Sequence, residues 1–207
     1  ITVNGTVATV SDDNVLAFNA LGAATKGTVK ATVSGELAEL DGLTKTADLI
    51  ADMELAITVT NAATGSAGVA SLNKITAGTT GTVTVASVSG KAAELALLLE
   101  SDTAATGTQA YTIVVDDTAT AAEGAAIAIA TSATTVDFSA GGITDAFAKV
   151  TDGTAIHADI VKIDEKDPNV NITVNDTVTV TGDNVKAFNA LGAATTGTVK
   201  ATINGNI

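Results

Sequence analysis

Residues 13–35 (DNVLAFNALGAATKGTVKATVSG) return almost unchanged as residues 183–205 (DNVKAFNALGAATTGTVKATING), identical at 19 of 23 positions and displaced by 170 residues. The copy extends upstream, where ITVNGTV from Ile1 to Val7 answers ITVNDTV from Ile172 to Val178. Nothing else in the chain limits its fold as strongly. Self-similarity at a fixed displacement is the mark of a repeat architecture. The expected organisation is one long repeat over 1–171 and the start of the next over 172–207. A chain that opens and closes on one motif, with Ile1 rather than Met at its start, reads as a window onto a longer repetitive protein.

A shorter repeat lies inside the long one. Val, Ile and Thr alternate with a period of two around Val29, Ile57, Val83, Ile113, Val136, Ile172 and Val199, which is the pattern of a half-buried strand. After most of these runs the period lengthens. Apolar residues recur three apart at Val15/Phe18/Leu21, Leu37/Leu40/Leu43, Val69/Leu72/Ile75 and Val185/Phe188/Leu191, with near variants at Ala92/Leu95/Leu98 and Ile143/Phe147/Val150. Those are narrow apolar stripes of short helices. Most strand starts lie 23 to 30 residues apart, and one gap of 36 residues holds a further candidate strand, Ile160–Ile163. About six strand–helix units thus fill the 170-residue displacement. Thr181 or Asp183 is the expected cap of the last helix, and Ser89 or Gly90 that of the helix near Lys91. Gly27, Gly107 and Gly197 are expected to serve as left-handed turn residues between helix and strand.

The expected fold class is therefore α/β: a solenoid of strand–helix repeats of about 23–30 residues, with a parallel sheet on one face and short helices on the other. At roughly 4.8 Å per coil, each long repeat would add on the order of 30 Å. Independent α/β domains or a β-sandwich are the alternatives. The first lacks a glycine-rich strand-to-helix loop, and the second calls for more hairpins and fewer helical stripes.

Composition narrows function mainly by exclusion. Lysine supplies all ten positive charges against 23 acids, giving a net charge of −13 and leaving no basic face for nucleic acid. Such a surface attracts cations, so calcium is the partner that electrostatics allows. Cysteine is absent, as is any apolar run long enough to span a bilayer. Alanine and threonine together make 76 of 207 residues, and aromatic residues only 2%. Side chains that small suit thin, closely stacked layers.

Segments such as ATVSGELAELDGL (Ala31 to Leu43), VTVASVSGKAAELALLL (Val83 to Leu99) and YTIVVDDTATAAEGAAI (Tyr111 to Ile127) resemble the Ala/Thr-rich repeats of very large bacterial, often cyanobacterial, surface and secreted proteins. The resemblance is one of composition and phrasing across most of the chain. It implies export, residence at the cell surface or outside the cell, and a part in adhesion, motility or coat formation, with phage fibres as a related category. It carries over no catalytic residue. Leucine-rich repeats have a similar length, but their LxxLxL spacing and Asn/Cys ladder are missing.

Candidate chemistry is sparse. His157 is the only histidine; Asp159 stands two residues on, but no GxSxG-type turn supplies a nucleophile, and zinc needs more His or Cys ligands than one. Ser89-Gly90-Lys91 has Val85 where a phosphate loop needs glycine, and Ala92 where it needs Ser or Thr. A glycosidase cleft needs two spaced carboxylates and usually aromatic platforms, and there is no tryptophan. Asn-x-Thr sequons at Asn4, Asn171 and Asn175 are ordinary in a threonine-rich chain.

The strongest candidate site runs from Asp164 to Asn171. There Asp164, Glu165, Asp167, Asn169 and Asn171 offer the oxygen ligands that calcium takes, although the spacing matches neither an EF-hand nor a glycine-rich nonapeptide. Asp116-Asp117 and Asp12-Asp13 are secondary candidates, with helix capping as the competing role. The expected function is a structural repeat segment of a large extracellular or cell-surface bacterial protein, a coat, filament or adhesin stalk, and not an enzyme. Its partners would be neighbouring repeats and laterally associated copies. The alternative is a calcium-stabilised adhesin or phage-fibre module that recognises a surface glycan or protein.

Overall fold

The computed structural model describes residues 1–8, 12–43, 53–101, 108–133 and 135–205. It is a mixed α/β protein with parallel sheets and helices, and no sheet closes into a barrel among the described residues. Two compact units divide the chain: residues 1–89, 97–112 and 130–133 form one, and residues 90–96, 113–129 and 134–207 the other.

In the first unit, the strands Thr2–Ala8, Val29–Gly35, Met53–Val59, Val83–Val85 and Gln109–Ala110 lie side by side in sequence order. Every neighbouring pair is parallel. Alternation decides which way the residues face: Val29, Ala31 and Val33 are buried, as are Met53, Leu55, Ile57 and Val59, while the Thr, Lys and Glu residues between them face out. Register then stacks like on like, with Val33 beside Ile57 and Ile57 beside Val83. On the outer face Lys30 Nζ reaches Glu54 Oε2 at 2.7 Å, a cross-strand pair too exposed to add much stability.

Helices Asp12–Ala24, Leu37–Leu40 and Gly65–Ala77 supply the opposing layer. They carry the stripes read from the sequence, and Val15, Phe18, Leu40, Val69, Leu72 and Ile75 are buried. Polar side chains tie successive segments: Asn19 Nδ2 donates to Gly42 O at 3.0 Å, and the Asn73 amide donates to Leu97 O and accepts from Leu99 N.

The second unit holds a three-stranded parallel sheet ordered Ile143–Asp145, Ile172–Thr179, Val199–Asn204, and a parallel pair formed by Ile113–Val115 and Val136–Asp137. Its one antiparallel pair among the described residues, Thr151–Asp152 with Ala155–Ile156, turns at Gly153 with φ 63°. Helix Ala121–Ile129 carries Gly124 where a β-carbon would lie 2.7 Å from Ile163 Cδ1 and 2.9 Å from Ile143 Cδ1, which explains a glycine within an alanine helix.

The near-copies form matching elements. Asp12–Ala24 and Gly182–Ala194 are both 13-residue helices, and the strands before them are both irregular at corresponding points, between Thr2 and Thr6 and between Thr173 and Thr177.

Three sequence expectations are corrected. Ile160–Ile163 lies in helix Ala158–Asp164; its two isoleucines, three apart, are both buried on one helical face. Ile143 belongs to a strand, and only Phe147–Val150 of its stripe is helical. Gly27 and Gly197 are not left-handed, since positive φ among the described glycines falls at Gly5, Gly65, Gly142 and Gly153. Gly197 is instead a point of close approach, with Asn169 O and Val170 O each 2.4 Å from where a β-carbon would sit. Gly107 lies outside the described residues.

Tyr111 is 2% exposed, and its hydroxyl has no hydrogen-bond partner among the described residues. Burial pushes its ionisation well above the ordinary tyrosine value. The unfolded chain therefore loses this proton first, and the stability due to neutral Tyr111 is complete below about pH 10 and falls as pH rises beyond it. In an alkaline titration, tyrosinate absorbance should rise together with the loss of circular dichroism. Tyrosinate forming near pH 10 in a fully folded chain would overturn this.

Candidate functional site

Two sets of side chains recur along the chain, and both act between segments. The first is a threonine turn. After the helices ending at Ala24, Ala77, Ile129 and Ala194 come Thr25-Lys26-Gly27, Thr79-Thr80-Gly81, Thr131-Ser132-Ala133 and Thr195-Thr196-Gly197. Each threonine hydroxyl accepts from the backbone N–H two residues on, at 2.9 to 3.2 Å.

Three of these hydroxyls also reach backbone groups in or beside the preceding strand. Thr79 Oγ1 accepts from Leu55 N at 2.8 Å and stands 2.8 Å from Met53 O and 2.9 Å from Leu55 O, to one of which it donates. Thr131 does the same with Tyr111 N at 3.1 Å and Tyr111 O at 2.8 Å. Thr195 donates to Val170 O or Pro168 O, at 2.7 and 3.1 Å. The next amide completes the pattern, with Thr80, Ser132 and Thr196 N–H donating to Met53, Gln109 and Pro168 O. Thr79, Thr131 and Thr195 are all buried, and their hydroxyls satisfy backbone groups that water does not reach.

The second set works at helix starts. The first helical N–H of Leu37, Ala92, Ala121 and Phe147 donates to Asn61 Oδ1 at 2.8 Å, Asp117 Oδ1 at 2.7 Å, Asp145 Oδ2 at 3.1 Å and Asp176 Oδ1 at 2.8 Å. Each acceptor sits 24 to 29 residues further along, at or beyond the following strand. Within three of these helices a glutamate three residues on also accepts from the cap N–H: Glu39 from Glu36, Glu94 from Lys91, and Glu123 from Thr120.

The helix near Lys91 is thus held by Glu94 and Asp117 rather than capped by Ser89 or Gly90. Thr181 does cap the last helix, accepting from Asn184 N. Asp117, a secondary cation candidate, serves the helix of the preceding segment, whereas the Asp12 side chain lies outside the described residues. His157 is an N-cap: its Nδ1 accepts from Asp159 N at 3.2 Å.

Among the calcium candidates, Asp164 ends helix Ala158–Asp164 and exposed Glu165 follows as its C-cap. Asp167 takes the place threonine holds elsewhere, with Oδ1 accepting from Asn169 N and Oδ2 from Phe138 N, both at 3.1 Å. Asn169 Oδ1 accepts from the Thr196 hydroxyl, and Asn171 Oδ1 accepts from Thr198 N at 2.8 Å. Three of the five residues therefore direct oxygens at neighbouring segments. No group of three His, Cys, Asp or Glu side chains is arranged around a common point among the described residues.

Compared with known proteins, the chain matches no family model, no curated protein and no solved structure. Sequence reasoning missed the threonine turns and the helix-start acceptors. The only available signal was the recurrence of Thr-x-Gly after a helical stripe, which is faint in a chain with so much threonine.

Replacing Asp167 by alanine is expected to cost about 1–3 kcal/mol, mainly because it strands the part-buried Phe138 amide, whereas the exposed Asn169 amide can turn to water. The drop in melting temperature should be the same in chelator and in millimolar calcium. A loss that appears only with calcium present would restore the cation role.

Proposed function

We propose that this chain is a structural repeat segment of a large extracellular or cell-surface bacterial protein, in which strand–helix units stack as a solenoid. The observation that carries this reading is the repeated bonding between consecutive segments. Thr79, Thr131, Asp167 and Thr195 each fasten a turn to backbone in or beside the strand one segment earlier, and Asn61, Asp117, Asp145 and Asp176 each fasten one helix start to the following segment. Sequence-order parallel pairing in the first unit supports the same reading, as do the matching elements of the two near-copies.

In this reading the function is mechanical. Polar side chains are spent on holding segments together, the outer strand positions are threonine and charge, and a net charge of −13 keeps the surface hydrated. No helix among the described residues is long and apolar enough to cross a membrane.

Immunogold labelling of intact, unpermeabilised source cells, with an antibody against residues 172–205, tests the proposal. Dense and regularly spaced surface or filament label is expected. Label that appears only after permeabilisation would sink it.

A further inference from the structure

Both near-copies break their sheet ladder at the same point. Strand Thr2–Ala8 sets Thr2 opposite Lys30 and next Thr6 opposite Thr32, so four steps on one strand answer two on its partner. Strand Ile172–Thr179 does the same, with Thr173 opposite Lys200 and Thr177 opposite Thr202. Each strand therefore bulges, and the bulge holds Asn4-Gly5 in the first copy and Asn175-Asp176 in the second.

Asn4 and Gly5 are exposed, and so are Asn175 and Asp176. Ile172–Thr179 has a strand on each side, yet neither neighbour supplies a register partner for Asn175 or Asp176. Exposure at this point thus belongs to the bulge and not to an uncovered edge. The copies differ in the second residue of the pair. Asp176 carries a carboxylate whose Oδ1 accepts from Phe147 N at 2.8 Å. Gly5 takes φ 95°, which glycine adopts far more readily than other residues, and no atom lies within 4 Å of where its β-carbon would be.

We propose that Asn4-Gly5 is a site of spontaneous deamidation in the folded protein. The Gly5 amide gives its proton to hydroxide, and the nitrogen attacks Asn4 Cγ. A new N–Cγ bond forms, the Cγ–Nδ2 bond breaks, and ammonia leaves with a proton taken back from water. Water then adds to either carbonyl of the five-membered succinimide and opens it to aspartate or isoaspartate. The sum is one water consumed and one ammonia released, with hydroxide regenerated. A regular ladder would fix the Asn4–Gly5 peptide in an orientation the side chain cannot attack. Without register partners, that peptide turns into line at little cost in local opening. Gly5 adds no side chain to obstruct the approach.

The product carries one more negative charge, in a cleft that Asn4 and Gly5 share with Lys30 and Glu54. The isoaspartate form also lengthens the backbone by one carbon where the strand already bulges. Asn204-Gly205, the chain's other pair of this kind, is held in place. Asn204 O accepts from Val180 N at 3.0 Å, and a β-carbon on Gly205 would lie 2.9 Å from Val180 Cβ. The site depends on the bulge alone and stands whether or not the segments stack as a solenoid.

Peptide mapping by mass spectrometry tests the inference, on the 207-residue chain held at mildly alkaline pH, folded and in urea. In the folded chain Asn4 should gain one mass unit, at a rate within an order of magnitude of its rate in urea and rising with hydroxide. Asn204 should convert readily only in urea. Asn4→Gln should abolish the gain at that position. Asp176→Gly, checked for folding by circular dichroism, should make Asn175 convert as Asn4 does. Asn4 that stays amidated in the folded chain while converting in urea would overturn the inference, and so would an inert Asn175 in folded Asp176→Gly.

Discussion

Replacing Thr79 by valine should lower the stability of the first unit by about 3 kcal/mol, while serine at the same position should cost about 1 kcal/mol. Valine matches threonine in shape but not in hydrogen bonding, so the substitution leaves the structure filled and unsatisfied. Two amides lose their acceptor, Leu55 N at 2.8 Å and Gly81 N at 2.9 Å, and Met53 O and Leu55 O lose a shared donor. The site is fully buried, so water cannot replace the hydroxyl, and each stranded group costs about 1–3 kcal/mol. Serine keeps the hydroxyl and loses one methyl, which is worth about 1 kcal/mol. Urea unfolding followed by Tyr111 reads the effect without interference, because the chain's single tyrosine lies in this unit and there is no tryptophan. Equal midpoints for the valine and serine variants would show that the hydroxyl contributes nothing.

Gly81→Ala should be as damaging, at about 3 kcal/mol or more, and Gly27→Ala should be harmless or slightly stabilising. The two glycines occupy the same place in their turns, so sequence gives no reason to separate them. A β-carbon on Gly81 would stand 2.2 Å from Leu55 O and 2.6 Å from Leu55 C, backbone atoms held in a parallel ladder that has nowhere to go. On Gly27 the nearest atom is Thr25 Oγ1 at 3.8 Å, an ordinary contact. Neither glycine has positive φ, so the difference is one of space alone. Thermal melts of the two alanine variants give the comparison, and equal losses would refute the close approach at Gly81.

Much of the secondary structure was legible because it follows from periodicity. The expected strand starts at Val29, Val83, Ile113, Val136, Ile172 and Val199 coincide with the observed ones, since β-branched alternation has one stable facing once one side is buried. HADIVKID misled because its β-branched centre looks like a strand, and in so short a run burial of Ile160 and Ile163 on a helical face decides the outcome. Carboxylates and amides are calcium's donors, which is why the acids at 164–171 look like ligands in the sequence. What Asp167, Asn169 and Asn171 touch lies 27 to 29 residues away in the chain, at Phe138, Thr196 and Thr198, and no local pattern reveals such partners. Thr79 and Asp117 were opaque for the same reason: their residue types are common, and their role depends on which amide faces them.

The threonine and Asx bonds between segments span 20 to 29 residues, never the length of the chain. A polypeptide wired at that range need not wait for its far end. As it leaves the ribosome, each hydroxyl or carboxylate meets its amide within one further segment, so order can advance from the amino terminus at the pace of translation. Lengthening such a chain adds wiring without adding distance, and a very long version should be no slower to fold per segment than a short one.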